Sequence, residues 1–190
     1  MSSIKYSIHF YSSWHCGSGL SAGADVDALV IKDKDGLPYI PGKTLKGLVR
    51  EAVEDYAALS GTLSQEVLNK AFGLPANTDK TDDNMSGTAF FTNATLNEKE
   101  AKAIVGNRAQ EYLYKKVSST AIDDEGIADD NSLRSIETVV PCTLHAAIYD
   151  LPHDVEDVLE KSIGLIHHIG MNRSRGLGRC NFKIEKGGER

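Results

Sequence analysis

The apolar residues of this chain change period along its length, and that change restricts the fold more than any other feature. Residues 4–10, IKYSIHF, put Ile4, Tyr6, Ile8 and Phe10 at every second position, the pattern of a strand buried on one face. Residues 42–56 switch to three- and four-residue spacing, with Leu45, Leu48, Val49, Ala52, Val53 and Tyr56 on one helical stripe. Pro38 and Pro41 fix an extended approach to that helix, and DKDG at 33–36 supplies a turn before it. A short helix is expected over 64–72, with Ser64 as its N-cap and Gly73 at its end.

Further along, GTAFFTNATL at 87–96 reads as a strand, and 98–116 as a helical segment broken at Gly106. Residues 117–131 have no helical period and suit a projecting hairpin, while 133–149 read as strands separated by Pro141. Helical spacing returns over 155–169, where Val155, Val158, Leu159, Ser162, Ile163, Ile166 and Ile169 share a face, and 179–185 is the last strand. The polar stretch 76–87, ANTDKTDDNMSG, is expected to be a mobile surface loop. Strand, helix, strands, helix, strand is the order of an α+β, ferredoxin-like (RRM-like) single domain over 1–190, with two helices on one sheet face and the other face open. An open face of this kind is a common RNA platform, but the aromatic strand motif of an RNA recognition motif is missing.

Hydrophobic residues make up 41% and charged residues 25% of the chain, ordinary values for a globular domain. No apolar run approaches the roughly 18 residues of a membrane span, and the N-terminus lacks the pattern of a signal peptide, so a cytoplasmic protein without a membrane partner is expected. Cys16, Cys142 and Cys180 lie far apart and form neither a disulfide framework nor a zinc knuckle.

The net charge of −6 argues against tight RNA binding by the isolated chain, yet the charge is unevenly placed. Acidic residues crowd 79–83, 123–130 and 154–160, whereas Lys43, Lys46 and Arg50, and Arg173, Arg175 and Arg179, occupy stretches without Asp or Glu. Lys46 and Arg50, four residues apart on one helical face, suit successive phosphates, with Lys43 and Thr44 at the positively polarised helix start. GKT at 42–44 is no P-loop, because Leu37 stands where the first glycine is needed and Pro38 and Pro41 remove amides. In GMNRSRGLGR, residues 170–179, Asn172, Arg173, Ser174 and Arg175 precede two glycines whose bare backbone is expected to let amides approach an anion. His167 and His168 are adjacent on the expected helix and make a poor metal pair. Trp14 is expected in the core.

These segments together resemble the RAMP superfamily, in particular the backbone subunits of type III CRISPR effector complexes of the Csm and Cmr kinds. The resemblance runs through VDALVIKDKDGLPYIPGKTLKGLVREAV at 26–53, Phe72-Gly73, GTAFFTNATL, TAID at 120–123, LRSIE at 133–137 and GMNRSRGLGR. It implies binding of CRISPR guide RNA beside other subunits of the complex, with residues 117–134 as a β-hairpin thumb that interrupts the guide:target duplex. It also implies that Asp27 supports cleavage of target RNA with a divalent cation, magnesium or manganese, by attack of the ribose 2′-hydroxyl on the adjacent phosphorus. Two alternatives stand beside it: a structural guide-binding subunit without nuclease activity, and a guide-processing ribonuclease with His15 as general base. The chain departs from the family pattern in its acidic thumb and in Ser119, where a basic residue is expected.

Overall fold

The computed structural model describes residues 2–23, 25–74 and 86–185. Most of the expected surface loop at 76–87 therefore lies outside the described residues.

Strand β1, Ser2–Phe10, is the centre of a four-stranded antiparallel sheet. Its neighbours are β5, Thr143–Leu151, and β6, Cys180–Glu185, and the short β2, Phe90–Phe91, extends the β5 edge. The order β2-β5-β1-β6 is that of a ferredoxin-like sheet. The period-two reading of β1 is realised directly: Ile4, Tyr6, Ile8 and Phe10 are all buried, while Lys5 and His9 lie exposed on the opposite face.

Helix α1, Gly42–Ser60, packs its Leu45, Val49, Ala52 and Val53 stripe onto this sheet beside α4, His153–Ser162. Fully burying each such aliphatic side chain is worth roughly 1.5–3 kcal/mol. No residue caps α1 from its own N-terminus; instead Asn93 Oδ1 accepts the Gly42 N–H at 2.9 Å. That contact explains why the expected strand at 87–96 shortens to β2. Beyond Phe91 the chain bends to reach the helix end and keeps only single pairings, Ile40 with Ala94 and Thr95 with His145. A Cβ at Gly42 would stand 2.1 Å from Phe91 O, so only glycine lets the two segments meet.

Helix α2, Gln65–Phe72, begins with the Ser64 side chain accepting from the Val67 N–H, as its sequence suggests. Helix α3, Glu98–Gly106, is followed by a 3-10 turn, Gln110–Leu113. The expected helix over 155–169 is shorter than its apolar period. It ends at Ser162, passes through a 3-10 turn at Ile163–Leu165, and then runs extended, because the Ile169 N–H is taken by Gly178 O. Ile163, Ile166 and Ile169 stay buried, so the apolar spacing survives the change of backbone.

A second, two-stranded sheet pairs β3, Tyr114–Ser119, with β4, Arg134–Val139. Its root is tied to the body by pairings of Trp14 with Val139 and of Ala28 with Ile136. Beyond Ser119 and Arg134 the hairpin projects, closing through the Ile122–Ala128 pairing to an exposed tip. The hairpin expected at 117–131 is thus present, but its strands start three residues earlier, at Tyr114, whose hydroxyl donates to Gly36 O. Among the described residues no helix is long and apolar enough to cross a membrane.

Candidate nucleic-acid interface

The glycine-rich stretch 170–179 packs on the loop 11–17 that leaves β1, and it shares a cleft with the middle of α1, from Leu48 to Asp55. The glycine-rich stretch begins with Gly170 and Asn172 in left-handed backbone, forms one 3-10 turn at Arg173–Arg175, and returns through Gly176 and Gly178. A Cβ on Gly170 would stand 2.0 Å from His15 O, and one on Gly178 1.9 Å from Ile169 O. These two glycines allow close packing of backbone on backbone.

That packing narrows the expected amide cradle. The Met171 N–H donates to His15 O, Arg175 N–H and Leu177 N–H to Asn172 O, Gly176 N–H to Arg173 O, and Gly178 N–H to Ser13 O. The amides at 171 and 175–178 are used within the protein, while those of Asn172, Arg173 and Ser174 have no acceptor among the described residues. The loop also offers side chains outward, since Arg173, Ser174, Arg175 and Arg179 are all exposed.

On α1, Lys43 is exposed and Thr44 and Lys46 are half-buried. Burial lowers the Lys46 pKa, and the neighbouring Arg50 charge lowers it further. Arg50 is not available as expected. Its Nε pairs with Glu54 at 2.7 Å, its Nη1 donates to Gly73 O at 2.9 Å, and its Nη2 reaches Asn69 Oδ1, so the guanidinium clamps the end of α2 to α1. By contrast, Lys43, Lys46, Arg173, Arg175 and Arg179 have no carboxylate within ion-pair distance among the described residues.

Helix α1 and the glycine-rich stretch form the two walls of a cleft of about 530 Å³, floored by Leu48 and Ile166. Arg173 and Ser174 face it from the loop, but Glu51 and Asp55 face it from the helix. A phosphate is therefore disfavoured beside the two carboxylates.

Asp27 sits at the root of the hairpin with its side chain exposed. Its Oδ2 accepts the Ser135 N–H at 2.7 Å, and its own N–H donates to Ser135 O at 2.8 Å. Oδ1 has no protein partner among the described residues. No group of three potential metal-ligating side chains occurs among them either. A magnesium-type ion is commonly held by one or two carboxylates together with substrate phosphates and water. Asp27 offers one carboxylate oxygen of that kind, Oδ1.

His15 is a joint rather than a general base. It is 1% exposed, its Nδ1 lies 2.6 Å from Glu137 O, and its carbonyl accepts from Met171, linking the hairpin root to the glycine-rich stretch. A buried ring in this position cannot reach a substrate, which removes the support for guide processing through His15. Trp14 is fully buried and stacks on Phe10. His167 and His168 lie on extended chain between two clefts, not on a helix.

Sequence reading missed two exposed aromatic features. Tyr11 follows β1 and lies beneath the Arg179 guanidinium, and Phe90 and Tyr149 stack across strands on the open sheet face with centroids 6.5 Å apart. The alternation of β1 and β5 placed neither, because both depend on which neighbouring strand edges remain uncovered.

No curated protein matches this sequence. The chain has the fold of solved chains from a type III-B Cmr-beta complex bound to cognate target RNA, with TM-score 0.71, 12% identity and 97% of each chain covered. A chain from the apo state of that complex matches equally well, with TM-score 0.71, 13% identity, and 97% of this chain and 98% of that one covered. The family model of the RAMP superfamily matches residues 7–181, from the middle of β1 into β6, and takes in the hairpin root, α1 and the glycine-rich stretch. The chain belongs to the RAMP superfamily.

Proposed function

We propose that this chain is a subunit of a type III CRISPR effector complex and binds guide RNA along the first turns of α1 and the glycine-rich stretch. The observation that carries this reading is Lys46. Its ammonium is half-buried beside the Arg50 guanidinium without a carboxylate partner among the described residues, and a phosphate oxygen there relieves both desolvation and like-charge repulsion. Lys43, Arg173, Arg175 and Arg179 extend the same positive character over exposed surface, with Thr44 as a hydroxyl donor at the helix start. The Cmr-beta chains of like fold come from an assembly, one state of which holds target RNA, which supports partners of both kinds. The negative charge of the chain as a whole fits a subunit that meets RNA together with its neighbours.

We further propose that Asp27 serves cleavage of the target RNA. The ribose 2′-hydroxyl gives up its proton to solvent as its oxygen attacks the adjacent phosphorus, a new P–O2′ bond forms as the P–O5′ bond breaks, and the departing 5′-oxygen takes a proton from solvent, leaving a cyclic phosphate and a 5′-hydroxyl. A divalent ion such as magnesium or manganese, when bound, stabilises the charge developing on the phosphoryl oxygens. Asp27 contributes position: the Ser135 N–H holds one carboxylate oxygen and leaves the other facing outward at the base of the hairpin. In the assembled complex, Asp27→Ala is expected to abolish target cutting while RNA remains bound. Unchanged cutting would leave a structural guide-binding subunit in its place.

A further inference from the structure

A second cleft of about 660 Å³ lies where the open sheet face meets the glycine-rich stretch, lined by Tyr11, His167, His168, Arg179, Cys180 and Asn181. Its size is that of a small-ligand site, which typically spans 300–1,000 Å³. Among the described residues no carboxylate lines it, unlike the neighbouring cleft with Glu51 and Asp55. We propose that this cleft receives one unpaired base of the bound RNA, stacked on Tyr11, with the Arg179 guanidinium and the Asn181 amide flanking the base. This rests on the RNA-binding reading above and names a site beyond it.

Three observations converge on a base. Tyr11, the residue that follows β1, is 56% exposed. It is nevertheless held in place: its N–H donates to Arg179 O, the His9 ring meets it edge-on at 4.8 Å, and the Arg179 guanidinium stands 5.9 Å from its centroid. A ring fixed by its surroundings and left uncovered loses little entropy when a base stacks on it. Asn181 pairs with His9 across β1 and β6, so its exposed amide stands beside the ring and offers a donor and an acceptor together. His167 and His168 line both clefts, so a strand gripped at Arg173 has a short path to Tyr11.

The test is a photocrosslink combined with binding. The full chain is mixed at low salt with a fluorescein-labelled single-stranded RNA carrying 5-iodouracil, irradiated at long wavelength, and the adduct mapped by mass spectrometry. The expected adduct is on Tyr11, retained in Tyr11→Phe and lost in Tyr11→Leu. The affinity of Tyr11→Leu, read by anisotropy, should fall about tenfold, since a stacked base is worth roughly 1–3 kcal/mol. Because the ring is exposed, its thermal midpoint should stay near that of the parent. RNA binding that weakens in Lys46→Ala and Arg173→Ala but not in Tyr11→Leu, with adducts elsewhere, overturns the base site and leaves the backbone reading standing. No RNA binding or adduct by the parent chain, in isolation at low salt or within the assembled complex, overturns both.

Discussion

Asp27 and Ser135 exchange two hydrogen bonds, one through the Asp27 carboxylate at 2.7 Å and one through its amide at 2.8 Å, so the residue proposed for chemistry also anchors the projecting hairpin. Replacing it therefore mixes two effects, and the choice of substitution separates them. Asp27→Asn keeps an oxygen for the Ser135 N–H and removes the charge; Asp27→Ala removes both. The expected outcome is loss of target cleavage in both variants, with a further stability loss of about 1 kcal/mol in Asp27→Ala alone, the usual worth of one hydrogen bond. Cleavage assays on the complex and urea unfolding of the chain check this. Cutting by Asp27→Asn at the parent rate would show that the carboxylate is only an anchor.

The glycine-rich stretch predicts a contrast within a single loop. Gly176 and Gly178 both have positive φ, +85° and +71°, so alanine at either position costs conformational energy of about 1 kcal/mol. Only at Gly178 would the added methyl also strike backbone, 1.9 Å from Ile169 O, whereas at Gly176 nothing lies within 4 Å. Gly178→Ala should lower stability by several kcal/mol or prevent folding, and Gly176→Ala by about 1 kcal/mol. Thermal or urea unfolding of the two variants checks the order, and similar losses would contradict the close packing.

Arg50 and Lys46 share a helix face but should differ in kind. The Arg50 side chain is 14% exposed and bridges Glu54, Asn69 and Gly73, so Arg50→Ala should cost roughly 1–3 kcal/mol of stability by leaving the Gly73 carbonyl and Glu54 without their partner. Lys46→Ala should leave stability near the parent value and weaken RNA binding of every sequence alike. It should also reduce the slope of log affinity against log salt by about 0.7, one phosphate's share on a single strand. Equal salt slopes for parent and Lys46→Ala would remove Lys46 from the interface.

Much of this was legible because the core is built from simple periods. Ile4 to Phe10 and Leu45 to Val53 announce their buried faces, and the ferredoxin-like order follows from their sequence. What escaped the sequence was the end of each period. The stripe through Ile169 continues apolar after the helix stops at Ser162, because burial constrains the side chain and not the backbone. Arg50 looked like its neighbour Lys46 for a related reason: its partners Asn69 and Gly73 come from another helix. The role of His15 was hidden too, since Glu137 lies 122 residues away. Asp123 was also legible only in retrospect. Its carboxylate accepts from the Glu125 and Ile127 amides as Asp33 does from those of Asp35 and Leu37, so DDEGI at the hairpin tip repeats the DKDGL turn.

The buried thiols give the chain an alkaline limit. Burial pushes Cys142 from 9.0 up to about 11 and Cys180 from 9.0 up to about 12. In the unfolded chain both thiols lose their protons near pH 9, while in the folded protein they keep them to higher pH. Between these values the unfolded state binds fewer protons, so stability is full below pH 9 and falls as pH rises through 11 to 12. The same burial slows alkylation, because the thiolate is the reactive form. At pH 8 iodoacetamide should label Cys142 and Cys180 slowly in the native chain and rapidly in urea. Urea midpoints measured from pH 8 to 10.5 should decline above pH 9, and the decline should be shallower in Cys180→Ala, which carries one such group fewer. A parent and Cys180→Ala that decline in parallel would place the alkaline sensitivity elsewhere, with the tyrosines as the next groups to test.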